Sequence, residues 1–366
     1  MKDLHSFGWY AAKLQPDLPK EVFEPVPARL LGGLAYLIVV VAGILTIGLV
    51  DLNIWLKLLI SAVLGFSFSG LGFLGHEILH GSVVKTPWLR NFLGGIAFFP
   101  LSTGPRLWRK WHNVEHHVHT QNEHKDPDAW PTIQRFLKMP LIVRLAYKLP
   151  MSVRSFVSFS LLTVSFSLHS MRMFGRYVRS FKPSKRPMVW FQMLFPWAVW
   201  ISLLGWMGFS NWLFAFVIPL FIGNAIVMAY IATNHRLNPI VDVNDPLANC
   251  LSVTVPKWLD VLHFNFSYHT EHHLFPAMNP KHYPMVKAHI LKKWPERYFE
   301  MPFGKALIAL WKTPRLYQDK TELVDPTPGN VYDTLGNGFD QKNIKPRKSI
   351  STDEIALGKS VVTERK

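Results

Sequence analysis

Four apolar runs, each long enough to cross a bilayer, leave this chain few ways to fold. They cover about 30–50, 54–75, 188–208 and 212–233 of its 366 residues. About 20 apolar residues rising 1.5 Å each span a hydrocarbon core of about 30 Å. Only a few residues link the first pair (Asp51 to Asn53) and the second pair (Phe209 to Asn211). The expected fold is therefore an all-α integral membrane protein with four transmembrane helices in two hairpins. Neither short link carries Lys or Arg, and nearby Lys57 can snorkel to headgroups. The remaining basic residues lie in the amino terminus, from Gly81 to Pro187, and after Asn234. The positive-inside rule places these regions, and both termini, in the cytoplasm.

Histidine is the second constraint. Eight histidines fall in three short windows: His76 and His80; His112, His116 and His117; His269, His272 and His273. A ninth, His235, closes the fourth run. On helices, the i, i+4 pairs His76/His80 and His112/His116 each share a face, with His117 turned further round. His269, His272 and His273 share another. Clustered neutral imidazole is most simply explained by a transition-metal site, and three such faces could surround two metals. The other histidines lack such company. His5, His169, His263, His282 and His289 read as non-ligands, and His119 and His124 as outer or surface residues. A single cysteine, Cys250, excludes disulfides within the chain, iron–sulfur clusters and Cys-rich zinc sites.

Two short motifs fail in context. His76-Glu77-Ile78-Leu79-His80 matches the HExxH zinc protease pattern, which leaves the other two windows unexplained. Gly70-Leu71-Gly72-Phe73-Leu74-Gly75 matches GxGxxG but lies inside a span, where small residues serve close helix packing. The apolar span interiors also argue against a metal transporter. The net charge of +16 is dispersed and no nucleic-acid motif accompanies it, so membrane lipid headgroups or an acidic redox partner are the expected counterparts.

The pattern HxxxH, HxxxHH, HxxHH resembles the membrane fatty acid desaturase family. Gly75-His76-Glu77, Asp126-Pro127-Asp128 and Tyr268-His269-Thr270-Glu271-His272-His273-Leu274-Phe275-Pro276 strengthen the likeness, which runs from about Leu30 to Lys312. The resemblance implies a cytoplasmic helical cap holding a non-haem di-iron site. Its ligands would be His76, His80, His112, His116, His117, His235, His269, His272 and His273. It also implies O2 as co-substrate, a fatty acyl substrate linked to lipid or CoA, and an external electron donor of ferredoxin or cytochrome b5 type. A di-iron hydroxylase or ketolase of an alkane, carotenoid or sphingolipid shares the same centre. The stearoyl-CoA branch carries an Asn where this chain has Ile231, and Asn234 stands beside His235 instead.

Further expectations concern the surroundings. Glu77, Glu115, Glu271, Asp126 and Asp128 are candidates to steady the ligands. Phe66, Phe68, Phe73, Trp108 and Phe266 are candidates to line an acyl tunnel. Arg106, Arg109 and Lys110 could meet an acidic carrier or lipid phosphate. Residues 1–29 form a cytoplasmic segment, and 30–318 the membrane domain. The run Trp88 to Leu101 is too short to cross, Met139 to Arg179 reads as interfacial helices, and 319–366 reads as a disordered tail. A bacterial inner membrane is favoured over endoplasmic reticulum.

Overall fold

The computed structural model describes residues 3–351. A short helix α1 (Phe7–Leu14) precedes the apolar helices α2 (Arg29–Leu49) and α3 (Ile54–His80). Asn53 starts α3, its side-chain oxygen accepting from Trp55 N and Leu56 N at 3.1 and 3.0 Å. The helix does not stop at residue 75. It continues to His80 and ends where Gly81 takes φ 88°, a left-handed cap glycine adopts without strain.

Helix α4 (Pro87–Phe98) buries Gly94, Ala97 and Phe98 and exposes Trp88 and Phe92, so it lies along the bundle. A short helix α5 (Pro105–Arg109) runs directly into a π-helix, Lys110–His116. Helices α6 (Met151–Ser160) and α7 (Leu162–Tyr177) follow, in a stretch bent by 68°. One face of α7 carries Phe166, Ser170, Met173 and Tyr177 inward, and the bent pair, read from sequence as interfacial helices, is together long and apolar enough to be a broken span or a re-entrant loop.

The second pair of apolar helices is α8 (Arg186–Trp212) and α9 (Ile218–His235). The break falls at Gly208, with φ 75° and ψ 165°. Trp212 Nε1 donates to Trp200 O at 2.7 Å, and the Trp200 and Phe216 rings stack at 4.3 Å. In a straight helix residues twelve apart would be separated by about 18 Å, so the chain doubles back here. The two hairpin ends meet where Lys57 Nζ donates to Asn211 Oδ1 at 2.8 Å. Outward faces stay apolar: Leu31, Ile38, Leu49, Trp55 and Ile201 are all exposed, as a lipid-facing bundle requires. The glycines of α3 serve close packing. A Cβ at Gly70 would stand 2.5 Å from the Tyr36 ring, and one at Gly72 would stand 2.7 Å from Leu101 Cδ1.

Beyond α9 the chain builds a cap. Strand β1 (Ser252–Thr254) pairs in parallel with β2 (Glu300–Pro302), beside α10 (His269–Leu274), α11 (Tyr283–Lys293) and α12 (Phe303–Lys312). The expected disorder of 319–366 is corrected as far as Ser351. Strands β3 (Glu322–Val324), β4 (Asn330–Asp333) and β5 (Lys348–Ser349) form an antiparallel sheet. Leu323, Val324, Val331 and Tyr317 are fully buried, partly against Ile133 and Phe136. Short apolar pairs scattered among Gly, Pro and charges supply this small core. Residues 352–366 of that expectation lie outside the described residues.

Candidate metal centre

The nine histidines converge at the end of the bundle where α3 and α9 finish and fall into two groups, with His112, His116 and Asp128 forming a third that overlaps both. Within each group, one ligand atom per residue lies within 4.8 Å of every other. The first group holds His76, His80, His112, His117 and His272. The second holds His116, His235, His269 and His273. His76 and His80 share a face one turn apart at the end of α3, as their spacing requires.

The middle window departs from its α-helical reading. His112 and His116, expected to share a face, do come together with Asp128, but His112 also groups with His117, and His116 with His235, His269 and His273. The π-helix is the cause. Its wider turn brings residues five apart to one side, and the Nε2 atoms of His112 and His117 stand 3.1 Å apart. The third window also divides, with His272 in one group and His269 and His273 in the other.

Several ring nitrogens stand at the separation that a shared cation would set. His76 Nε2 lies 3.1 Å from His112 Nε2, His117 Nε2 2.9 Å from His272 Nε2, and His235 Nε2 2.7 Å from His269 Nε2. Nitrogens bound at right angles to one ion, each about 2.1 Å away, stand about 3.0 Å apart. His235 Nδ1 donates to Asn249 O at 2.9 Å, so in the neutral ring Nε2 is a lone pair facing another ring nitrogen. Thr120 Oγ1 donates to His116 O and can accept from His273 Nδ1 at 3.2 Å. His273 Nε2 is then free, and it and His80 Nε2 are buried without a hydrogen-bond partner. The donor set therefore fits two metal ions of the class that imidazole binds.

Electrostatics agree. Burial, aided by neighbouring histidines, holds His112, His117, His269, His272 and His273 well below the ordinary histidine pKa. They are neutral at pH 7. His116 is the exception. Burial pulls it down, but the Asp126 carboxylate, with Asp128 behind it, raises it overall. Its Nδ1 lies 3.0 Å from Asp126 Oδ1 and 3.4 Å from Asp128 Oδ2.

The other acids named from sequence do not touch the rings. Glu77 pairs with Arg29 at 2.6 Å and accepts from Asn279 Nδ2 at 3.1 Å, locking the end of α3 to α2 and the cap. Its engagement also removes the free general base a zinc protease would need. Glu271 accepts from Tyr298 OH at 2.6 Å and Ser252 Oγ at 2.9 Å, and burial pushes it up to about 7. Glu115 pairs with Lys110.

Other side chains that steady the site escaped the sequence reading. Tyr283 OH lies 3.2 Å from His272 Nδ1. Gln121, at φ 58°, donates from Nε2 to His235 O and Tyr317 OH, both at 2.9 Å, and its backbone N–H donates to Asp126 Oδ2 at 2.7 Å. Nothing in local spacing marks such a buried amide. Asn234, already marked in the sequence beside His235, lies with its amide 3.0 Å from His269 Nδ1. Among the non-ligands, His263 bonds Tyr230 OH and His169 pairs with Asp128. Neither they nor His5, His119, His124, His282 and His289 join a group.

A cavity of about 280 Å³ opens onto His76, His112, His116, His235 and His269. Gly72, Phe98, Leu101, Phe166 and Val227 give it an apolar stretch, and Asp128, His169, Arg172 and Arg236 line it as well. Of the five expected tunnel aromatics, Phe73, Trp108 and Phe266 line it. Phe66 and Phe68 do not: Phe66 lies against the His263 ring and Phe68 against Trp200.

Two histidine groups beside an apolar cavity invite comparison with known proteins. Residues 53–304 match the family model for fatty acid desaturases. The chain belongs to the fatty acid desaturase family. It is thus an oxidoreductase acting on fatty acids. Relatives include the sn-1 oleoyl-lipid 12-desaturase of Picosynechococcus sp., 24% identical over 80% of this chain and 85% of that protein. The Synechocystis sp. protein of the same name is 24% identical over 87% and 90%. The chloroplastic omega-6 fatty acid desaturase of Spinacia oleracea is 23% identical over 95% and 74%.

Proposed function

We propose that this desaturase inserts a double bond into the acyl chain of a membrane lipid, using two histidine-held iron ions, O2 and electrons from a separate carrier. One observation carries the reading: nine histidines form a five and a four, and five of them, His76, His112, His116, His235 and His269, line a largely apolar cavity. His76, His80, His112, His117 and His272 hold one iron. His116, His235, His269 and His273 hold the other. When bound, the iron pair supplies O2 reduction and hydrogen removal from an unactivated C–H bond, chemistry beyond any side chain.

The protein supplies order. Asp126, Asn249 O, Thr120 and Tyr283 fix ring orientation from behind, so that Nε2 faces inward. Phe98, Leu101, Phe166 and Val227 receive the methylene chain and exclude water from it. Trp108 stacks on His112 at 4.3 Å and stiffens the wall nearest the metals. The names of the relatives favour an acyl chain linked to lipid.

The four apolar helices cross the bilayer as two hairpins, with both termini and the metal site on the cytoplasmic side of a bacterial inner membrane. Both hairpin ends lack excess basic charge, which supports this orientation. A ferredoxin or cytochrome b5 type carrier docks on the basic cytoplasmic face.

Expression in a host that supplies reducing carriers, followed by mass-spectrometric lipid profiling, tests the reading. A new double bond made by the native chain and not by His272→Ala is expected. A hydroxylated product would overturn desaturation in favour of a hydroxylase or ketolase.

A further inference from the structure

Beside the His80 end of α3, three guanidinium groups lie within electrostatic reach of one another without an acid partner. Arg90 lies on α4, and Arg106 and Arg109 lie one turn apart on α5. Among the described residues, none of their side chains makes a hydrogen bond or ion pair. The Nε atoms of Arg90 and Arg109 are buried and unpartnered. Arg90 Nη1 stands 2.9 Å from where a Cβ on Gly81 would sit, so it points inward beneath α4. Burial, then the charges of Arg90 and Arg106, pull Arg109 below the usual arginine value. A fold that gathers like charges in partial burial incurs both desolvation and repulsion, which a bound anion offsets.

The setting points to the anion. Trp88 and Phe92, on the opposite side of α4 from Arg90, are 70% and 60% exposed, the aromatic face of an element resting in a membrane interface. The α5 end is seated against α8, where Arg106 N donates to Gln192 Oε1 at 3.4 Å. The neighbouring cation, Lys110, is already spent on Glu115 at 2.7 Å. A protein carrier would need guanidiniums projecting into water. Half-buried ones between a membrane helix and an interfacial helix suit a headgroup, and planar forks match phosphate oxygens two at a time.

We propose that Arg90, Arg106 and Arg109 form a binding site for the phosphate of a membrane phospholipid, separate from the acyl cavity. The site anchors α4 and α5, and through α5 the π-helix that carries His112 and His116, to the cytoplasmic leaflet.

The test uses the purified full-length, iron-loaded protein in detergent, with bound lipid counted by native mass spectrometry. Dispersed phosphatidylglycerol and a neutral galactolipid are added in parallel, with and without millimolar inorganic phosphate. The expected result is one retained phosphatidylglycerol per chain, at least about 10-fold weaker binding in R90Q/R109Q, and no comparable hold on the galactolipid. R109K, which keeps the charge but loses the fork, should fall between, and it decides the matter should the double variant fail to fold. Equal retention by the native chain and the variants, or equal retention of galactolipid, would overturn the proposal. Displacement of the lipid by inorganic phosphate would reassign the site to a free anion and equally overturn it. Iron content is read in the same spectra, so a failed metal assignment stays distinguishable from a failed lipid site.

Discussion

In the four-histidine group every ring has a polar contact at Nδ1: His116 with Asp126, His235 with Asn249 O, His269 with the Asn234 amide, and His273 with Thr120. All four are buried. In the five-histidine group, among the described residues, His272 alone has such a contact, with Tyr283, and His112 and His117 are partly exposed. The smaller group is pre-set for a metal by the protein behind it. The larger one has a ligand in hand and relies on the ion itself for its final order. One is specified by its outer partners, the other by number.

Single ligand deletions should break or sharpen this contrast most strongly. His273→Ala and His80→Ala should each lower desaturation by more than about 100-fold, beyond the range typical of outer partners. Iron content should separate them. The His273 variant, left with three ligands, should drop towards one iron per chain, whereas the His80 variant, with four remaining, should keep more. Equal losses would erase the distinction.

Asp126→Ala comes next. It removes both the support of His116 and the acceptor for Gln121 N–H, and should cost about 10- to 100-fold in activity. Tyr283→Phe, on the five-histidine side, removes one hydroxyl and should cost no more than about 10-fold. A larger effect from Tyr283 than from Asp126 would invert the comparison.

Acid should act on the metal-free protein through both groups, through His269 and His273 in the smaller one and through His112, His117 and His272 in the larger. All five have folded pKa values below the ordinary 6.5, so the unfolded chain takes up protons first as pH falls. Their contribution to stability is present above about pH 6.5 and is lost below it. His116, raised by Asp126, works in the opposite sense. The unfolding midpoint of metal-free protein should fall by several degrees between pH 7.5 and 5.5, and Asp126→Asn should steepen that fall. The smallest effect concerns the carrier. Raising salt should slow turnover at fixed carrier concentration, and a salt-independent rate would argue against docking on the basic face.

Much of this arrangement was legible in the sequence because its causes are local. A bilayer fixes the length of a span, and clustered imidazole calls for a metal. The grouping of the histidines was not legible. It depends on a π-helix at Lys110–His116, which i, i+4 reasoning cannot see. Glu77 and Glu271 looked like ring partners because they sit inside the histidine windows. On a helix, however, a residue next to an inward histidine points elsewhere, and both acids bond to other elements. The tail looked disordered because its core is a few apolar side chains finding Ile133 and Phe136 nearly 200 residues earlier. Gln121 joins Asp126, His235 and Tyr317 across three segments, and contacts of that range leave no spacing to read.

The central claim is that each histidine group holds one iron. Elemental analysis of the purified full-length protein, with His273→Ala beside it, tests this most directly. About two irons per native chain and about one in the variant are the predicted result. A single metal per native chain, or zinc in place of iron, would contradict it.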